Sequence, residues 1–150
     1  MSKVSVIIPT YNRGEVVLRA LRSVFAQDHA VDQVIVVDDG STDDTIERVE
    51  RNFPGVELIV QTNHGVSHAR NRGIERARNE WLAFLDSDDE WLPGKITAQL
   101  AAIMSDGISR VCHSDEIWVR NGRRVNPMNK HRKYGGDIFL YCLPRCVMSP

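Results

Sequence analysis

Cysteine is scarce in this 150-residue chain: Cys112, Cys142 and Cys146 make an odd count with no CxxC pair. That count argues against a disulfide framework and suits a reducing compartment. A zinc site drawn from Cys112, His113, Cys142 and Cys146 lacks the paired spacing such sites use, so small buried thiols are the better expectation. No apolar run approaches the length that spans a bilayer. Met1-Ser2-Lys3 leads straight into a strand pattern rather than into a secretory signal, which points to the cytoplasm, at most to the inner face of a membrane. An excess of either charge is missing too: 19 Lys and Arg stand against 20 Asp and Glu, for a net charge of −1. Nucleic acid therefore finds no electrostatic footprint. No GxGxxG follows the first apolar run, which speaks against a dinucleotide oxidoreductase. There is no internal repeat and no low-complexity linker. What is present, 42% hydrophobic and 26% charged residues, is enough to bury one domain core.

The first hundred residues alternate between two patterns. Val4–Ile8, Val34–Val37, Leu58–Val60 and Trp81–Leu85 are short apolar runs of the kind that form parallel strands buried on both faces. Between them, Glu15–Ala26, Thr42–Arg51 and Gly65–Arg78 carry apolar residues at helical spacing. These include Val17, Ala20, Leu21, Val24 and Phe25, then Ile46 and Val49, then Val66, Ala69, Gly73, Ile74 and Ala77. Asn12 with Glu15, and more weakly Ser41 with Asp44, have the form of capping boxes; Pro93 stands where a further helix would begin. The expected fold is α/β: a doubly wound, Rossmann-like, mostly parallel open sheet with helices on both faces, in three layers. Beyond Gly107 a strand is expected over Arg110–His113. A hairpin is expected from Ile117–Arg120 and Arg123–Val125 about Asn121-Gly122.

In such a sheet, ligands bind at the carboxyl ends of the strands. Here every strand runs out into polar residues: Pro9-Thr10-Tyr11-Asn12-Arg13, Asp38-Asp39-Gly40-Ser41-Thr42-Asp43, Gln61-Thr62-Asn63-His64-Gly65 and Asp86-Ser87-Asp88-Asp89. Three carboxylates in the last cluster repel one another unless a positive group joins them, and a divalent cation with a phosphate-bearing ligand answers that need. A solvated turn capping the next helix is the plainer alternative. Tyr11 can stack on a base or pack over the sheet edge, and Asp39 can accept from a ring N–H. Arg70 suits a diphosphate or an aspartate equally, and can also be a structural ion pair. Asn12 is first a helix cap, while Asp38, Asp43 and Asp44 suit a helix N-terminus.

VSVIIPTYNR (4–13), VVDDGSTD (36–43), NHGVSHARNRG (63–73) and LDSDDEWLP (85–93) together resemble the family 2 glycosyltransferases of the GT-A fold. The resemblance covers about the first hundred residues. It implies an inverting transferase that moves a sugar from a nucleotide diphosphate donor, a UDP-sugar as first choice, to an acceptor hydroxyl with Mg²⁺ or Mn²⁺. It implies donor contacts at Pro9, Thr10, Tyr11, Asn12, Asp39, Gly65, Arg70, Asp86, Ser87 and Asp88. Asp86 and Asp88 would form the DxD metal pair, Asp88 more directly. A place in polysaccharide or cell-envelope synthesis goes with the family, with a saccharide, lipid-linked or protein acceptor.

The inverting reaction needs a carboxylate base. Asp115 and Glu116 match the middle of the family pattern rather than its base motif, so the base is expected beyond Pro150. The chain is then one GT-A domain incomplete at its C-terminus, with a nucleotide-sugar half over 1–104 and the start of an acceptor-side region over 105–150. A non-catalytic nucleotide-sugar-binding module is the alternative. A haloacid-dehalogenase-like phosphatase is disfavoured, because Asp86-Ser87-Asp88 follows the fourth strand and lacks the Gly-Thr that motif continues with. The basic stretch Arg120–Lys133 reads first as a solvated, mobile surface segment. Its functional alternative is contact with an acidic acceptor, such as a lipid-linked phosphate at the membrane surface, or closure over the donor phosphates.

Overall fold

The computed structural model describes residues 2–126 and 132–143. In chain order it contains β1 (Val4–Thr10), α1 (Gly14–Phe25), β2 (Gln33–Asp38), α2 (Thr45–Asn52), β3 (Glu57–Val60), α3 (Val66–Arg76), β4 (Trp81–Phe84) and α4 (Lys95–Asp106). These are followed by β5 (Trp118–Arg120), β6 (Arg123–Val125) and α5 (Phe139–Cys142). The chain divides into two compact units, Met1–Leu100 and Ala101–Pro150.

The first unit carries a parallel sheet in the order β3-β2-β1-β4. The chain steps outward from β1 to β3, then α3 carries it back across the sheet to β4. With crossovers of one hand, that reversal puts α3 on the face opposite α1 and α2. Side-chain alternation along β1 serves both faces. Val4, Val6 and Ile8 pack with Val17, Leu21 and Val24 of α1, Val49 of α2 and Ile96 of α4, whereas Ile7 joins Ile35, Val37 and Ala69 of α3. Gly73 sets the approach of α3: a Cβ there would lie 2.4 Å from Ile7 Cγ2.

Burial on both faces holds for β1 and β2, which are buried throughout. It fails for β3 and β4, which are largely half-buried because each is an edge strand with a neighbour on one side only. Both central strands also outrun their apolar runs. Pro9 and Thr10, expected in a loop, continue β1 opposite Val37 and Asp38. Ile7 O accepts from Leu85 N on the β4 side and Thr10 O from Asp39 N on the β2 side. Pro9 therefore turns its missing N–H toward β4, after the β1–β4 pairing has ended at Ile7 and Phe84. A cleft opens at that reversal in strand order.

The expected helix starts need correction. Arg13 is the N-cap of α1 and makes no side-chain cap bond, so Asn12 and Glu15 form no capping box. Asn12, in the left-handed region at φ 51, instead accepts from Thr42 N through Oδ1. Ser41 and Asp44 form none either. Ser41 Oγ binds Asp38, and Thr45 N at the head of α2 donates to Asp43 Oδ1. Pro93 stands two residues ahead of α4 rather than in its first turn. Phe25, read onto the buried face of α1, is half-exposed and stacks on Phe53 at 5.4 Å.

The second unit has the expected hairpin, β5 and β6 paired antiparallel, with φ 51 at Asn121 and φ 72 at Gly122 as a type I′ turn requires. Arg110–His113 is not a strand; among the described residues no strand pairs with it. Lys133 is no loose surface cation: it is nearly buried and pairs with Glu116 at 3.4 Å, while Arg132 lies over the Tyr134 ring. Residues 127–131 of the basic stretch, and Cys146, lie outside the described residues. Cys112 and Cys142 are free thiols, half-buried rather than buried.

Candidate functional site

A cleft of about 410 Å³ lies at the carboxyl ends of the four parallel strands, within the size range of small-molecule sites. Pro9, Thr10 and Tyr11 reach it from β1, Asp39 from the end of β2 and Gly65 from the β3–α3 loop. Arg70 comes from α3, and Asp86, Ser87 and Asp88 follow β4. Asn12 alone among the expected donor residues is absent from the lining, since its side chain is turned onto the 38–45 loop.

Thr10 is 4% exposed, and its Oγ1 is buried with no hydrogen-bond partner among the described residues. Tyr11 beside it is 46% exposed, so its ring has a free face. Asp39 is buried and already well bonded: Oδ1 accepts from Gln61 Nε2 (2.6 Å) and His64 N (2.9 Å), Oδ2 from Gly65 N (2.8 Å). Burial opposes its ionisation, but the His64 N–H, the Gln61 amide and the Gly65 N–H outweigh it and hold the carboxyl below its ordinary range. Asp39 thus fixes the loop that leads into α3, at whose head Gly65 takes φ 89.

Asp38 is spent in the same way, accepting from Gly40 N (3.1 Å), Ser41 N (2.8 Å) and Ser41 Oγ (2.5 Å). Its work is in the turn, not at a helix N-terminus. Asp43 takes the helix role, and its carboxyl is lowered chiefly by the Thr45 hydroxyl. Asn12 N donates to Ser41 Oγ and Arg13 N to Thr45 Oγ1, so the β2 loop holds the turn that presents Tyr11.

The β4 end differs. Asp86 Oδ1 accepts from Arg70 Nη2 at 2.6 Å, and Arg70 Nε is buried without a hydrogen-bond partner among the described residues. Asp88 is exposed and carries no ion pair among the described residues. No group of three or more His, Cys, Asp or Glu converges among those residues. Of the carboxylates on the cleft, Asp86 and Asp88 keep oxygens that could hold a hard cation such as Mg²⁺ or Mn²⁺, whereas those of Asp39 are largely taken by its own loop.

Arg13, Asn63, Val66 and Ala69 also line the cleft and were not among the expected contacts. Val66, read onto the packed face of its helix, is 50% exposed in the first turn of α3.

The family model described as Glycosyl transferase family 2 matches residues 5–141. The chain belongs to glycosyltransferase family 2. Among its relatives, an uncharacterized glycosyltransferase YibD of Escherichia coli K12 is 37% identical over 81% of this chain and 36% of its own length. The Escherichia coli UDP-Glc:alpha-D-GlcNAc-diphosphoundecaprenol beta-1,3-glucosyltransferase WfgD is 33% identical over 98% of this chain and 62% of its own. Among solved structures, S. aureus TarS in complex with UDP-GlcNAc matches with TM-score 0.67 and 33% identity, over 87% of this chain and 38% of that one. The mannosyltransferase PcManGT of Pyrobaculum calidifontis, in complex with GDP-Man and Mn²⁺, matches with TM-score 0.57 and 29% identity, over 72% and 33%. This family 2 chain spans about a fifth to two-fifths of the length of the first curated relatives it matches. Among the described residues no helix is long and apolar enough to cross a membrane.

Proposed function

We propose that this chain is the donor-binding part of an inverting glycosyltransferase that takes a sugar from a nucleoside diphosphate, UDP first, and passes it to an acceptor hydroxyl. The observation that carries this reading is the convergence of Thr10, Tyr11, Asp39, Arg70, Asp86 and Asp88, from separate strand ends, on one cleft at the reversal of strand order. Tyr11 stacks on the base, and Asp39 has one lone pair left on Oδ2 for a ring N–H. The buried Thr10 Oγ1 and Arg70 Nε each gain a partner from a polar ligand. Arg70 meets the diphosphate with its planar fork of donors. TarS with UDP-GlcNAc and WfgD, by its name a user of UDP-Glc, support the choice of UDP.

Asp86 and Asp88 fit a divalent cation by donor chemistry, and PcManGT with Mn²⁺ supports one. When bound there, the cation would supply Lewis-acid stabilisation of the charge growing on the departing diphosphate. Inversion requires the acceptor oxygen to approach the anomeric carbon from the opposite side, with its proton passing to a carboxylate base. WfgD's name gives a saccharide on a lipid diphosphate as acceptor. An acceptor of that kind at a membrane surface suits the exposed Arg120, Arg123 and Arg124 of the β5–β6 hairpin.

A thermal-shift panel of UDP, GDP and dTDP, each with and without MnCl₂, tests the donor site. UDP with Mn²⁺ should raise the midpoint most, since a ligand of the folded state alone stabilises by mass action. No shift with any of the three would remove the donor reading.

A further inference from the structure

Arg70 stands at a junction that donor binding alone does not explain. Its Nη2 is committed to Asp86 Oδ1 at 2.6 Å, yet its Nε sits buried with nothing to donate to among the described residues. A guanidinium in that state is half-satisfied: an acceptor offering two oxygens side by side suits it better than the single carboxylate oxygen it now holds. Asp86, for its part, already has a cation. The pair is about a quarter to a third exposed, sheltered enough for the attraction to persist in salt. A second positive charge at Asp86 meets the guanidinium as a repulsive neighbour. Among the described residues Asp88 has no ion pair, and no third ligating side chain joins the two aspartates.

We propose that Arg70 is an internal competitor for Asp86: it keeps divalent cations off the Asp86–Asp88 pair until a nucleoside diphosphate draws the guanidinium away. This rests on the donor reading above and adds the order of events. The diphosphate offers Arg70 the oxygens that Nε and Nη2 can engage together; Asp86, once released, would be open with Asp88 to hold a cation. Cation and nucleotide bind cooperatively, each raising the affinity of the other by the same factor. Premature loading of the acidic pair by free cation is suppressed.

The test is Mn²⁺ uptake, read from the free-ion electron paramagnetic resonance signal, with nucleotide affinity read by calorimetry on the same chain. In the wild type, MnCl₂ alone should bind weakly, and UDP should tighten it at least tenfold. Arg70→Ala should bind MnCl₂ alone several-fold more tightly than the wild type, bind UDP alone several-fold more weakly, and show a smaller mutual enhancement. Asp86→Asn gives the mirror result. With its competitor gone, Arg70 is free for phosphate, so metal-free UDP should bind at least as tightly as to the wild type while Mn²⁺ uptake falls. Unchanged or weaker Mn²⁺ binding by folded Arg70→Ala would overturn the competition; so would weaker metal-free UDP binding by Asp86→Asn, which decides the matter if Arg70→Ala fails to fold. If UDP, GDP and dTDP all fail to bind the wild type, the donor reading and the release step fall together. If UDP binds and only the Mn²⁺ arms fail, the competition falls alone.

Discussion

Two groups of aspartates on the same rim do opposite work. At the end of β2, Asp38 and Asp39 are buried, and each accepts three hydrogen bonds from its surroundings. At the end of β4, Asp86 has a single guanidinium and Asp88 stands in solvent without an ion pair among the described residues. The first group has exchanged water for the N–H groups of its own loops, so it stiffens the rim and has little acceptor capacity left. The second keeps unspent negative charge in an open cleft, the condition for attracting a cation or a cation-bearing ligand. An acidic residue on a rim is therefore informative only once its acceptors have been counted.

The sharpest way to break this contrast is to delete one carboxylate from each group. Asp38→Ala leaves two N–H groups and a hydroxyl of the 40–41 turn without their acceptor. It should cost about 3 kcal/mol in urea unfolding. Asp88→Ala should stay within about 0.5 kcal/mol of the wild type, as exposed sites do, while removing the Mn²⁺-dependent part of UDP binding in calorimetry. A large stability loss in Asp88→Ala, or none in Asp38→Ala, would erase the distinction.

Thr45→Val probes the scaffold more gently. Its hydroxyl donates to Asp43 and accepts from Arg13 N at 3.0 Å, tying α2 to the head of α1. The isosteric change should cost about 1–2 kcal/mol and weaken UDP binding by loosening the Tyr11 turn. Unaltered affinity would mean that the turn holds its shape without the tie.

Acid separates the wild type from Asp39→Asn. The Asp39 carboxyl is held below its ordinary value of 3.8 in the folded state, so its contribution is fully present above that value and is lost as pH falls through the lower folded value. Stability curves of the two proteins should accordingly draw together below about pH 4. A gap that persists or widens into acid would show that Asp39 is not the ionised hub of the 61–65 loop.

Much of this was legible in the chain. The alternating patterns announced the parallel sheet, and the four polar runs after the strands announced a shared rim. The misreadings had a common source. Local spacing points Asn12, Ser41 and Asp44 to caps, but Asn12 and Ser41 are used across to another strand's loop. Asp39 likewise finds its partners 22 to 26 residues away. Local patterns carry helix and strand because those periods are local; they carry no record of which distant N–H will reach a carboxylate.

The sequence by itself determined the order of strands and helices, and with it the set of residues delivered to the rim, because hydrophobic periodicity and turn chemistry act over a few residues. Only the tertiary structure decided which carboxylates are spent and which are open, and that Arg70 rests on Asp86. Those outcomes depend on hydrogen-bond partners and burial that exist only once distant loops have been brought together.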